Sequence, residues 1–550
     1  MTKCTRFGTL PPANVGATIR AAKNEFEGFQ LAVKPSASYA YDVSVTPPRN
    51  ATGQELWVNV YREEFLNFAN ASGPDGATGW WPDRLIPDYD DVNGGEYVDP
   101  DGTRAFPFTP AAPGGTFENF VAYVEMHVPA AAPADRYQGA VTITWMEGIQ
   151  GPYSSTWPIV VDVEPFTLPS TSSLPTLYRR AGFQICAAHG VTGTGCDNLL
   201  VKYLQFTLDH RLSVDPDQFP DSAFLSRHAH YMNGTTSPPT DPKGSPRLWN
   251  ATPRTTAAYT NRGNQADLPS WMDQHRTAGW LDRALMYWCD EPQGGLFCPD
   301  WPNKVVTSTA VAHAGTPWLR QLVTTDHQVA VDALGTSYAD HIDIVTPNII
   351  RIQGPGLFTF PTSTLLQYSP YLAPGSLRSL WWYQSNNTAQ IARYPQYGID
   401  VAGVKNRAMP WLTFEMAPAR AGLGVRGELY YATTLSYSGT TWRITADDLW
   451  QFGQNGDGTL MYPGRDRPLP SLRLKMIRDG MEDYEYLQLL ANIPFVGSST
   501  GIDCARSIAR TLFQHGQDII PERAQGLKEQ RAIVASLIRS PAQPCALVSW

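Results

Sequence analysis

The sequence predicts a multidomain chain: an N-terminal antiparallel β-sandwich, then a (β/α)8 TIM-like barrel, then a C-terminal helical segment packed on the barrel. The predicted bounds are residues 1–165, 166–470 and 471–550. Three observations lead there. Up to about residue 165, short β-rich runs such as GFQLAV, LWVNVYR and AVTITW are separated by Pro, Gly and Asn clusters. From there to about residue 440, apolar runs alternate with helical stretches, as in a parallel sheet. Seven or eight such units are what a closed barrel requires. The last residues have apolar positions at helical spacing.

Taking the elements in order, ATIRA, GFQLAV, YDVSV, LWVNVYR, FVAYVEMHV, AVTITW and WPIVVDV supply the sandwich strands. The Pro- and Ser-rich stretch Pro165 to Pro175 reads as a linker. LYRRAGFQI, LSVDP, ALMYWCD, RQLVTTD, HIDIVTP, LRSLWWYQ and ELYYATT are the predicted barrel strands, with helices at DNLLVKYLQFTLDHR and LPSWMDQHRTAGWLDR. SLRLKMIRDGMEDYEYLQLLANI, 471–493, reads as a helix with Leu472, Met476, Ile477, Leu487 and Leu490 on one face. Its acids, Asp479, Glu482, Asp483 and Glu485, are expected in surface or interdomain ion pairs with neighbours such as Arg473, Lys475 and Arg478.

The 550 residues are 42% hydrophobic, 17% charged and 11% aromatic, which excludes a disordered or fibrous chain. A net charge of −9, spread along the sequence, argues against a nucleic-acid partner. No apolar run reaches the roughly 18 residues of a membrane span. The seven cysteines include close pairs Cys186/Cys196 and Cys289/Cys298, a third pair at Cys504/Cys545, and Cys4 left over. Disulfides there, and five Asn-x-Ser/Thr sequons, fit an oxidising compartment, with buried thiols as the alternative. The start has no apolar signal region, which leaves either a cytosolic protein or a chain whose export signal has been removed; the cysteines favour the second, so the expectation is a secreted or periplasmic protein.

In parallel barrels the C-terminal strand ends carry the chemistry, which makes Asp215, Asp290, Asp326, Asn348 and Tyr383 candidates. The strongest motif is MYWCDEP, 286–292. An apolar strand that ends in two adjacent carboxylates, beside aromatics and before Pro292, can divide acid and base work between Asp290 and Glu291. Side chains alternate along a strand, so both can face inward only if the chain turns there. The pair would equally suit a loop-start helix cap. Trp288, Trp381, Trp382 and Tyr383 offer flat faces for sugar stacking, or core filling. Gly422, Gly424 and Gly427 match Gly-x-Gly-x-x-Gly but precede a strand, so a turn is expected rather than a dinucleotide site. His228 and His230 lack a third ligand, and no metal or organic cofactor is expected. No serine elbow or Walker loop appears.

Together NEFEGFQLAV, YWCDEP, HIDIVTPN, LWWYQ, YGIDVAGVKNRAMPWLTF, GDGTLMYPG and SLRLKMIRDGMEDYEYL make the chain similar to glycoside hydrolase family 123, the β-N-acetylgalactosaminidases, and to proteins sharing its catalytic domain. The resemblance implies a glycan substrate and substrate-assisted, retaining hydrolysis. Glu291 would be the general acid and then base, and Asp290 would orient the substrate's own 2-acetamido group. Tyr383 would bond the acetamido oxygen, Trp382 would wall the pocket, and Asn348 would bind a sugar hydroxyl. Trp288 and Asp326 complete the expected substrate contacts. The long segment from about Asp215 to Pro269, and MAPARAGLGV at 416–425, depart from expectation and leave the sugar open. A non-acetamido glycosidase of the same fold and an inactive carbohydrate-binding protein are the alternatives.

Overall fold

The computed structural model describes residues 3–10, 16–147, 150–179, 182–213, 229–234, 258–259, 266–292, 298, 300–352, 366–372, 378–391, 394–416, 424–437, 442–494, 500–514, 518–519, 524–541 and 545. Eight strands build two four-stranded sheets: β1 (Ala17–Lys23), β2 (Glu25–Val33), β3 (Tyr41–Arg49), β4 (Trp57–Phe68), β5 (Gly79–Pro87), β6 (Phe120–Val128), β7 (Arg136–Glu147) and β8 (Gln150–Thr167). The orders are β1-β8-β7-β3 and β2-β6-β4-β5. Every pairing is antiparallel except β1 with β8.

β6 shows why the two faces of a strand differ. Phe120, Ala122, Val124, Met126 and Val128 enter the main core, as period-2 alternation requires. The other face, with Tyr123, Glu125 and His127, is buried too. A helix covers it: Tyr123 packs with Leu472 and Met476, and Glu125 pairs with Lys475 and Arg478.

After β8 the predicted linker is tied down. Leu168 and Leu174 are buried, and the Ser173 backbone N–H and hydroxyl both donate to Glu485, at 2.6 and 2.7 Å. Seven strands then pair in one all-parallel sheet: β9 (Thr176–Tyr178), β10 (Ala258–Tyr259), β11 (Leu285–Cys289), β12 (Arg320–Val323), β13 (Ile344–Val345), β14 (Ser379–Tyr383) and β15 (Val425–Tyr430). Their order is β10-β11-β12-β13-β14-β15-β9, so the sheet curls until the last strand meets the first. β10 and β9 are its edges, and most of LSVDP, the strand expected between them, lies outside the described residues. Only the first part of LYRRAGFQI is strand; Gly182–Ala188 is helical.

The helix Leu472–Ala491 is buried over most of its length. Besides β6, it packs on the short helices Gly403–Arg407 and Met409–Glu415 that lie outside the parallel sheet. Its charges pair with residues of other elements, and they are buried rather than on the surface. Arg473 makes two bonds to Asp83, at 2.9 and 2.8 Å. Arg407 does the same to Asp483, at 2.6 and 2.7 Å. Cys186–Cys196, Cys289–Cys298 and Cys504–Cys545 are bridged, and Cys4 is free. No helix among the described residues is long and apolar enough to cross a membrane.

Candidate active site

One residue from each of six strands, Leu177, Leu285, Leu322, Ile344, Trp381 and Leu429, belongs to a buried cluster on the sheet's inner face. Alternation makes the next inward residue on each chain two positions later. Those residues are Arg179, Tyr287, Thr324, Thr346, Tyr383 and Tyr431, a polar layer above an apolar one at the C-terminal ends of the strands. Gly427, in β15, permits the tight lower layer: a Cβ there would lie 2.4 Å from the Trp381 ring. The expected Gly-rich turn is therefore partly a strand, with Gly422 outside the described residues.

Asp290 and Glu291 join this polar layer. The chain turns where the two acids need it to, because Glu291 adopts φ +40°, in the left-handed region that non-glycine residues rarely enter. Asp290 Oδ1 accepts from the Tyr287 hydroxyl at 2.8 Å and from the Thr324 hydroxyl at 3.0 Å. Thr324 Oγ1 also accepts the Glu291 backbone N–H at 2.9 Å. Glu291 is exposed, and its Oε1 accepts from the Tyr383 hydroxyl. Burial first, then the Glu291 charge, pushes the Tyr383 phenol up; burial and Asp290 do the same to Tyr287. Both phenols therefore stay protonated donors at neutral pH. The Arg179 guanidinium lies 4.8 Å above the Tyr287 ring.

The structure thus brings Asp290, Glu291 and Tyr383 together and sends other expected residues elsewhere. Trp382 points to the outer face of the strand, where it is fully buried and its indole N–H donates to Thr413 at 3.0 Å. It cannot wall a pocket on the inner face. Asp326 caps the helix His327–Leu334 by accepting the Val329 N–H at 2.9 Å. Asn348 accepts from the Ile350 N–H at 3.2 Å and donates to Ser385 at 3.0 Å, so its amide braces the loop after β13. The side chain of Trp288, along with Asp215 and His228, lies outside the described residues. No group of three potential metal ligands occurs among the described residues.

Sequence reasoning missed Tyr287, Thr324 and Asp457. Asp457 accepts from the Tyr430 hydroxyl at 3.1 Å and from the Asn386 N–H at 3.2 Å, and burial pushes its carboxyl up to about 6. It lies in GDGTLMYPG, where Gly458 at φ +71° leaves no room for a side chain against Leu435 and the Tyr431 hydroxyl. Tyr287 and Thr324 each stand two residues beyond an inward leucine, a signal available once the strand register is known.

Residues 371–490 match the model of the glycoside hydrolase 123 catalytic domain. That stretch contains Tyr383 and Asp457 and begins after the carboxylate pair. No curated protein matches the chain. Among solved structures, the chain is similar to a family 123 glycoside hydrolase from Clostridium perfringens, with a TM-score of 0.59 and 11% identity over 95% of this chain and 93% of that one. A β-glucuronidase from Ruminococcus gnavus, at a TM-score of 0.27 and 10% identity over 78% and 69% of the two chains, is too distant to bear on the fold. The chain therefore resembles glycoside hydrolase family 123 in catalytic-domain sequence and in fold, and glycoside hydrolysis is the activity class this relationship supports.

Proposed function

We propose that the chain is a retaining, substrate-assisted hydrolase of β-linked N-acetylhexosamine, with N-acetylgalactosamine as the first candidate. The observation that carries this reading is the turn at Glu291, which gives two sequence-adjacent carboxylates to one mouth while fixing them on different partners. A mechanism in which one carboxylate is the nucleophile sets two acids to flank the scissile bond, whereas here both come from one turn. They suit a mechanism in which the nucleophile is the substrate's acetamido oxygen. Asp290, with Oδ1 held by two hydroxyls, accepts the acetamido N–H and stabilises the positive oxazolinium that forms as the carbonyl oxygen attacks the anomeric carbon. Tyr383 donates to that oxygen, and the exchange frees Glu291, in its acid form, to give its proton to the glycosidic oxygen as the bond to the anomeric carbon breaks and the aglycone leaves; its carboxylate then takes a proton from the water that opens the oxazolinium.

In the same reading the parallel sheet closes as a (β/α)8 barrel through a further strand between β9 and β10. Ser213 supports this, since its N–H donates at 2.9 Å to the side-chain hydroxyl of Thr176, the first residue of β9. The domains are residues 1–165, 166–470 and 471–550. Three disulfides support an oxidising, extracellular or periplasmic setting.

The test is aglycone release from aryl β-linked N-acetylgalactosaminide, N-acetylglucosaminide, galactoside and glucoside. Turnover confined to the N-acetylated sugars, and lost by about 10²-fold or more in Glu291→Gln and Asp290→Asn, is the expected outcome. Equal turnover of the plain sugars removes the acetamido role. Sugar binding without turnover of any substrate makes the chain a carbohydrate-binding protein.

A further inference from the structure

Thr324 stands at the end of β12, in RQLVTTD, and is buried. Its single hydroxyl both accepts from and donates to the carboxylate turn. The oxygen accepts the Glu291 backbone N–H at 2.9 Å, and the proton goes to Asp290 Oδ1 at 3.0 Å. One side chain from the neighbouring strand therefore touches both members of the acid pair, through the backbone of one and the carboxylate of the other. The bond matters at this turn, since Glu291 sits at φ +40°, a conformation that persists only where its surroundings hold it. The bond to Asp290 also has a direction. Thr324 and Tyr287 both donate to Oδ1, and Oδ2 has no hydrogen bond among the described residues. A carboxylate held this way presents one chosen oxygen to the substrate, where a free one would rotate between two equivalent faces.

We infer that Thr324 is the positioning residue of the acid pair: its hydroxyl locks the left-handed turn at Glu291 and aims Asp290 Oδ2 at the N–H of the substrate's 2-acetamido group. Tyr287 is the second donor to the same oxygen. This rests on the proposed function for the identity of the bound group, but the lock on the turn does not depend on the sugar. Valine has the shape of threonine without its hydroxyl, and serine has the hydroxyl without the methyl, so the two substitutions separate packing from hydrogen bonding.

The experiment compares the full-length parent with Thr324→Val, Thr324→Ser and, as a second deletion of the hydroxyl, Thr324→Ala, each alone and combined with Asp290→Asn. Initial rates are read on aryl β-N-acetylgalactosaminide and the matching galactoside, with thermal unfolding alongside. Thr324→Val is expected to lower kcat by about 10- to 100-fold with a smaller change in KM, as for loss of an orienting hydrogen bond to a charged group. Thr324→Ser restores most of that rate. In the Asp290→Asn background, Thr324→Val costs clearly less than it does in the parent, because the part of its effect that passes through the Asp290 carboxylate is already lost. A rate within about 2-fold of the parent, additive losses, or no rescue by serine would overturn the inference.

Failure of the acetamido reading shows separately, as parent turnover of the galactoside or of neither sugar. A crystal structure of Thr324→Val then decides the positioning role without turnover. Asp290 rotated away from Tyr287, or Glu291 out of the left-handed region, supports it. An unchanged turn refutes it.

Discussion

Glu428 illustrates how much a single buried acid contributes. It lies on β15, accepts hydroxyls from Thr413 and from Tyr178 at 3.5 Å, and burial pushes it up to about 7 from an ordinary value of 4.5. The folded state then holds a proton that the unfolded chain has released between about pH 4.5 and 7, so this group's contribution to stability falls as pH rises through that window. Glu428→Gln removes the titration while keeping an acceptor. Thermal unfolding of the pair at pH 5 and pH 8 is expected to move in favour of the variant at the higher pH, by on the order of 3 kcal/mol. At Asp326, which the sequence offered as a substrate contact, the same scale gives a different expectation. Asp326→Ala loses a helix cap, costing about 1 kcal/mol in denaturant unfolding, and leaves turnover within about 2-fold. Acidic character at a strand end was legible in the sequence for Asp290, Glu291 and Asp326 alike. What separates them is the turn at Glu291 against the cap at Asp326, and that follows from backbone dihedrals no residue name reveals.

Among the elements, β14 shows where the reading of register ran out. Its residues are SLWWY, and three consecutive aromatics give no polar position to say which face is inward. Tyr383 falls inward with Trp381, and Trp382 falls outward against Thr413, so a shift of one residue separated a site residue from a packing one. β11 was more legible, because Pro292 and the acid pair mark its end. The helix Leu472–Ala491 was legible as a helix, whereas its burial was not: charged residues at this density normally face water. They are inside because the sandwich covers one side and the helices around Arg407 cover the other. Arg407 pairs with Asp483, Asp479 and Glu27 and is fully buried. Arg407→Ala leaves Asp483 and Asp479 facing each other across a vacated site. It is expected to destabilise the protein by about 3–5 kcal/mol, read by chemical denaturation.

On the scale of the whole molecule, the same helix joins what the sequence divided. Arg473 binds Asp83 of β5, Glu125 of β6 takes Lys475 and Arg478, and Arg211, just after the helix Gly193–Asp209, binds Glu482 at 3.0 Å. Burial alone would raise Glu125, but Arg478 and Lys475 hold it well below the ordinary carboxylate range. The stability it contributes is present above pH 4.5 and is lost as acid protonates it. Calorimetry is expected to show the sandwich and the parallel-sheet unit unfolding in one transition at neutral pH, and two separate transitions would contradict the coupling assigned to this helix. The change from β-rich to alternating pattern did mark where the parallel sheet begins. It could not show that these buried pairs bind the parts together, because each pair spans hundreds of residues of sequence.

In the proposed function the substrate's acetamido oxygen, oriented by Asp290, is the nucleophile. The most direct measurement is the hydrolysis rate of aryl β-N-acetylgalactosaminides whose acetyl group carries zero, one, two or three fluorines. Fluorine drains electron density from the carbonyl oxygen and barely changes its size. With the acetamido oxygen as nucleophile, kcat falls steeply with each fluorine, to roughly 10³-fold or more across the series, as for any change felt mainly in the transition state. A rate that stays level across the four substrates would contradict it.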